Sequence, residues 1–133
     1  MLTVMKTYRF DRHVAWPVSD YGSSFLLSRL LWVTGGEVRV DLAYLKPGDR
    51  IGEHEGRLPQ LFCVIDGSGW VAGADAIPMR AGPGVAAFWA AGERHAAGTE
   101  TGMRAVIIQA ESLDPDATLT PVAEVGVHPF AGS

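Results

Sequence analysis

The chain has 133 residues, of which 47% are hydrophobic, with 16 glycines, one cysteine and a formal net charge of -4; this suits one domain with one core. The negative balance and the absence of a basic cluster argue against a phosphate backbone, so nucleic acid is not an expected partner. No apolar run reaches the ~18–20 residues that cross a bilayer, residues 1–12 lack the apolar core of a secretory signal, and the lone Cys63 fits a reducing compartment, so no membrane partner and a cytoplasmic location are expected.

Glycine and proline punctuate the chain every eight to twelve residues, and no stretch carries a sustained helical period with caps. That pattern predicts about eight to ten short strands joined by turns, hence an all-β domain. An early strand is predicted over residues 25–33, ending at Gly35-Gly36. Residues 37–45 alternate, with Val38, Val40, Leu42 and Tyr44 on one face and Glu37, Arg39 and Asp41 on the other, as in a half-buried strand. Lys46-Pro47-Gly48-Asp49 is a turn, because proline presets φ and glycine accepts a positive φ. Further strands are predicted over 58–65, 70–73, 77–80, 85–90, 94–99 and 103–109, with turns at Asp66-Gly67-Ser68-Gly69 and Ala81-Gly82-Pro83-Gly84. Pro115, Pro121 and Pro129 mark an extended C-terminal tail. Walker, Rossmann, Cys-x-x-Cys and nucleophile-elbow patterns are absent, which removes nucleotide hydrolysis, dinucleotide redox chemistry, zinc ribbons and α/β-hydrolase chemistry from the candidates.

Two of the four histidines sit in matching contexts. His54 follows Gly48 by six residues and precedes Gln60 by six, with Gly67 closing the next turn; His95 follows Gly84 by eleven and Gly92 by three. Over residues 38–109 this spacing resembles the two cupin motifs. In the first, Gly48, His54 and Gly67 match, while Gly56 stands at the second histidine and Gln60 at the glutamate. In the second, Gly84, Gly92 and His95 match, while Ala90 replaces the proline and Thr99 the asparagine. The resemblance implies a single-domain jelly-roll barrel of double-stranded β-helix type. It divides the chain into an N-terminal arm over 1–36, a core barrel over 37–110 and a tail over 111–133 packed on the barrel or on a partner.

The resemblance also implies a metal at the barrel centre, for which His54, Gln60 and His95 are the available ligands: one divalent transition ion (zinc, iron, nickel or manganese), or no metal at all in a polar cluster that binds something else. Alternation along a strand lets His54, Gly56, Leu58 and Gln60 point inward together. Gly56 is expected to leave room where a ligand would stand. Two imidazoles and a neutral amide leave the ion's charge uncompensated, which would favour an anionic ligand. Phe62, Trp89, Gly56, Thr99 and Tyr44 are expected to line the pocket. Glu53 and Glu55 should face outward, Cys63 should lie on the outer face of its strand, and Glu93 is expected in a solvent-facing turn, with orientation of His95 as its alternative role. His13 and His128 are expected at the surface or in the tail.

The expected function is binding of a small organic ligand, an anionic one among the candidates, in a sensor, carrier or accessory role. The alternative is a metal-dependent oxygenase or isomerase. A homodimer is expected, because small barrels expose edge strands, with the N-terminal strand or the tail at the interface.

Overall fold

The computed structural model describes residues 5–122. Twelve strands follow one another: β1 Lys6–Arg9, β2 Trp16–Val18, β3 Phe25–Leu27, β4 Val38–Leu45, β5 Arg50–Glu55, β6 Gln60–Gly67, β7 Gly69–Ala72, β8 Met79–Ala81, β9 Val85–Trp89, β10 Arg94–Gly98, β11 Met103–Ala110 and β12 Thr120–Pro121. Short 3-10 turns lie at Arg12–Val14, Asp20–Gly22 and Pro115–Ala117. None is long and apolar enough to cross a membrane.

Two antiparallel sheets make the barrel. One has the order β12-β1-β9-β6-β11-β4 and the other β5-β10-β7-β8; β2 and β3 form a separate ribbon. Most neighbours in these sheets are distant in sequence, as Val85–Trp89 beside Gln60–Gly67 shows. Such pairings need long connections, and the glycine turns supply their reversals. Gly67, Gly84 and Gly92 all adopt positive φ, which a Cβ would disfavour.

The six-stranded sheet is apolar on both faces. Phe62 and Val64, Ala87 and Trp89, and Met103 and Ala105 face the barrel interior, where Val71 and Ala97 from the second sheet meet them. The opposite face carries Tyr8, Leu61, Cys63, Ala86 and Ile108, roofed by Phe10, Leu30, Leu31, Leu113 and Leu119. A strand covered on both sides reads as a continuous apolar run, which accounts for Leu61-Phe62-Cys63-Val64. The roof explains why the strand predicted over 25–33 is short: after Leu27 the chain leaves the ribbon, and Leu30 and Leu31 act as lid side chains. Tyr8 ties this layer down, its hydroxyl donating to Asp116 at 2.7 Å. Burial, and then the bonded carboxylate, push that phenol's pKa well up.

The alternating strand is turned the other way from the expectation. Ala43 and Leu45 pair with Ala105 and Met103 and face the interior, so Val38, Val40, Leu42 and Tyr44 lie outside. Tyr44 is 68% exposed, and its assignment to the pocket is corrected. A period of two says which residues share a face; the register with β11 decides which face is inside.

Candidate functional site

β5 and β10 lie side by side in the four-stranded sheet, and their register puts His54 directly opposite His95. The ladder shifts beyond this pair, between His95 and Ala97, so that Ile51 pairs next and Gly52 and Glu53 take up the extra length. Ile51 therefore packs on the core and His54 meets the His95 ring, although they are three residues apart. Glu53 and Glu55 face outward as expected, and Glu53 holds Arg94 through two contacts at 3.1 and 2.8 Å. Exposed pairs of this kind add about 0–1 kcal/mol.

Four rings run from the core to the surface. Phe62 packs on Trp89 at 5.8 Å between centroids. Trp89 stacks on His95 at 4.3 Å, with the planes only 11° apart. His95 meets His54 edge-on at 4.5 Å. Phe62, Trp89 and His95 are at most 2% exposed, whereas His54 is open to solvent. Gln60 is buried on the strand beside Trp89, in register with it, on the same face as Phe62.

Each imidazole is oriented by a backbone carbonyl two residues before it. His54 Nδ1 donates to Gly52 O at 2.7 Å and His95 Nδ1 to Glu93 O at 2.9 Å. A carbonyl oxygen only accepts, so Nδ1 carries a proton in both rings, and in the neutral imidazole Nε2 keeps its lone pair. His95 Nε2 is buried without a partner, and so is the neighbouring Trp89 Nε1. An unpartnered acceptor and an unpartnered donor thus lie on two stacked rings. Buried polar atoms are nearly always bonded, so such a pair points to something the site takes up.

Burial pushes the His95 pKa below its usual 6.5; the carbonyl of Glu93 opposes this, and the nearby His54 adds to it. The folded state therefore resists a proton that the unfolded chain accepts below about pH 6.5. The stability that His95 contributes is full above that pH and is lost as pH falls toward the folded-state value. We expect the urea midpoint to drop between pH 7 and 5 in the wild type and to drop less in His95→Gln. The lowered carboxyls of Asp11, Glu37 and Asp66 act below the range of this test.

Glu93 is not a solvent-facing turn residue. It is 5% exposed, and its carboxylate accepts the N–H groups of Ala90 at 3.0 Å and Ala74 at 3.1 Å. Its side chain thus fastens the turn, and its carbonyl aims His95. Gly56 does not leave a vacant space either. A Cβ there would stand 3.2 Å from His95 Cε1, so the imidazole ring already fills the position. Thr99 is buried away from the rings: its hydroxyl donates to Ser68 O at 2.6 Å and accepts the Gly102 N–H at 2.9 Å, closing the turn between β10 and β11. Its pocket role is corrected. Cys63 is buried on the outer face of its sheet, as expected, and burial pushes its thiol up to about 12. His13 is exposed, and His128 lies outside the described residues.

A metal site asks for more donors than these. Two Nε2 atoms and the amide of Gln60 are the candidates, and no group of three His, Cys, Asp or Glu side chains comes together among the described residues. The orientation of both imidazoles by carbonyls does suit ligation, because metal-binding histidines commonly give their other N–H to such an acceptor.

No family model matches the chain, and no curated protein sequence does. Among solved structures it is similar to a cupin superfamily protein from Desulfitobacterium hafniense, with TM-score 0.54 and 19% identity over 65% of this chain and 77% of that one. It is likewise similar to an RmlC-like cupin from Shewanella frigidimarina, with TM-score 0.54 and 18% identity over 59% and 70% of the two chains. A salicylate 1,2-dioxygenase from Pseudaminobacter salicylatoxidans aligns with TM-score 0.52 and 15% identity over 55% of this chain and 21% of that one. At such identities the likeness carries the fold and leaves activity open. With two antiparallel sheets, and with His54 and His95 opposite each other on neighbouring strands, the chain has the cupin fold, an all-β jelly roll.

Proposed function

We propose that this protein binds a small organic molecule at the inner end of the His54–His95 pair and acts as a sensor, carrier or accessory protein. The observation that carries the reading is the unpartnered pair His95 Nε2 and Trp89 Nε1. One lacks a donor and the other an acceptor, so a ligand offering both, such as the hydroxyl and carboxylate of a hydroxy acid, satisfies them together. Trp89 and Phe62 supply the apolar wall that such a site needs around a few polar atoms. The exposed His54 supplies the approach from solvent, and its free Nε2 is a second acceptor for the ligand's outer end.

A second reading is supported by the carbonyl-oriented imidazoles. In it, His54, His95 and Gln60 hold one divalent ion, whose chemistry would be Lewis-acid polarisation of a bound oxygen. The chain's own contribution would then be the fixed tautomers and the dry wall behind them.

Thermal unfolding of protein purified without a metal-affinity tag separates the two. A panel of small hydroxy acids and carboxylic acids is compared with zinc, iron, nickel and manganese salts, on the wild type and on His95→Phe and His54→Ala. On the first reading, at least one acid raises the midpoint, the effect is lost in His95→Phe, and stabilisation reaches about 2.7 kcal/mol at a hundredfold excess over Kd. Stabilisation by an ion alone, lost in both variants and matched by metal content near one per chain, would move the second reading ahead. No response to any acid or ion would sink both.

A further inference from the structure

The ligand reading leaves one part of the fold unused, the long edge of the six-stranded sheet. β4 pairs with β11 over all eight residues without a register shift, and no second strand pairs with it among the described residues. The other sheet edges are blunted: β12 is two residues long and contains Pro121, β8 is three residues long, and β5 is interrupted at the Gly52–Glu53 irregularity. β4 has neither proline nor bulge. Its outer face shows Val38, Val40, Leu42 and Tyr44, from 38% to 68% exposed. It continues the apolar face of Ile108 and Val106, which stand beside Val40 and Leu42 on β11. A long, regular, apolar edge is a template for another strand.

The backbone fixes which groups are free. The Glu111 N–H donates to Glu37 O, and the Ala110 N–H turns the other way to Pro59 O. In an antiparallel ladder the bonding direction alternates. Arg39, Asp41 and Ala43 therefore bond toward β11, and Val38, Val40, Leu42 and Tyr44 direct their N–H and C=O groups off the sheet.

We propose that β4 pairs antiparallel with β4 of a second copy of this chain, about a two-fold axis at Val40, so that the two six-stranded sheets become continuous. Charge and strand length select the axis, because an axis at Val38, which would set Arg39 opposite the partner's Glu37, leaves only Val38 of each β4 in the ladder. An axis at Asp41 would set two carboxylates face to face in the closely spaced pair, which is repulsive. An axis at Leu42 would place Arg39 opposite the partner's Leu45 and Asp41 opposite the partner's Ala43, leaving both charges without a counterpart. An axis at Val40 places Arg39 opposite the partner's Asp41 on both sides of the two-fold, with Val40 against the partner's Val40 and Val38 against the partner's Leu42. Arg39 is half exposed, and its present contacts, Glu37 and Gln109, are both long at 3.4 Å, so its guanidinium is free to swing across. Self-complementarity of this kind is what an isologous dimer requires, and it makes a second copy the fitting occupant.

The proposal does not depend on what the barrel binds. Light scattering coupled to size exclusion tests it on the full chain. The wild type should show twice the mass of one chain, Arg39→Asp should fall to one chain mass, and the double variant Arg39→Asp with Asp41→Arg should regain the dimer. Circular dichroism should stay unchanged throughout, because both side chains are exposed. Under mild oxidation Val40→Cys should give a disulfide-linked dimer, since paired residues across such an axis stand about 5.5 Å apart between Cα atoms. Asp41→Cys and Leu42→Cys should not cross-link to themselves, and the buried Cys63 gives no background. A wild-type monomer, a dimer indifferent to Arg39→Asp, a charge swap that fails to restore it, or cross-linking at Asp41 or Leu42 in place of Val40 would each overturn the proposal.

Discussion

Replacing Trp89 with alanine is expected to lower the unfolding free energy by about 3–5 kcal/mol, the usual cost of emptying a large core site. Trp89 is the largest of the fully buried side chains and is 1% exposed. It touches Phe62 on one side and stacks on His95 on the other, so its loss opens the barrel and also removes the wall of the site. Urea denaturation gives the number; a loss below about 1 kcal/mol would mean that the ring is not the packing centre of the barrel. Trp89→Phe separates packing from polarity. It keeps an aromatic wall and removes the unpartnered Nε1–H, so about 1.5 kcal/mol or less is expected. If the proposed ligand reading holds, Trp89→Phe also loses the acid-induced rise in melting temperature while remaining folded.

Glu93→Ala should cost about 2–3 kcal/mol although it removes no apolar surface. Its carboxylate accepts two backbone N–H groups from two different turns, those of Ala90 and Ala74. Hydrogen bonds to a charged acceptor are worth about 1.5–3 kcal/mol each when they are buried, and less where water can replace them. The Ala74 turn approaches so closely that a Cβ on Gly73 would collide with Glu93 Oε2 and with Met5. Glu93→Gln keeps one acceptor oxygen and presents an amide N–H to the other donor, so roughly half the loss should return. The readout beyond stability is the His95 pKa followed by NMR. Because the Glu93 turn keeps that ring aimed and dry, the pKa should rise toward its usual value in Glu93→Ala and move less in Glu93→Gln. An unchanged His95 titration in Glu93→Ala would show that the turn fastens the fold without positioning the imidazole.

Several features of the site were legible from residue order alone. The positions of Gly48, His54, Gln60 and Gly67, and of Gly84, Gly92 and His95, carried the resemblance to the cupin motifs, which implied that inward residues of two strands meet, and His54 does stand opposite His95. Glycine turns are readable because positive φ at Gly48, Gly67, Gly84 and Gly92 is a local requirement. The inward parity of Phe62 and the outward parity of Cys63 follow from the period of a strand. Arg50–Glu55 was harder to see as a strand of its own, since its irregularity at Gly52–Glu53 breaks the alternation.

What the sequence determined by itself was therefore the all-β character and the turns, which rest on local backbone geometry and periodicity, while the meeting of the two histidines was implied by the resemblance to the cupin motifs. Only the tertiary structure decided which face of a patterned strand is inside. The apolar side of β4 carries Tyr44 outward, because the sheet register buries Ala43 and Leu45 instead. It also decided that the room at Gly56 is filled by the His95 ring and that Thr99 closes a turn. It turned Glu93 from a surface residue into the brace of the site. Those outcomes depend on which strands become neighbours across long stretches of chain, and a carboxylate, a hydroxyl or a missing Cβ takes its role from the neighbour it meets.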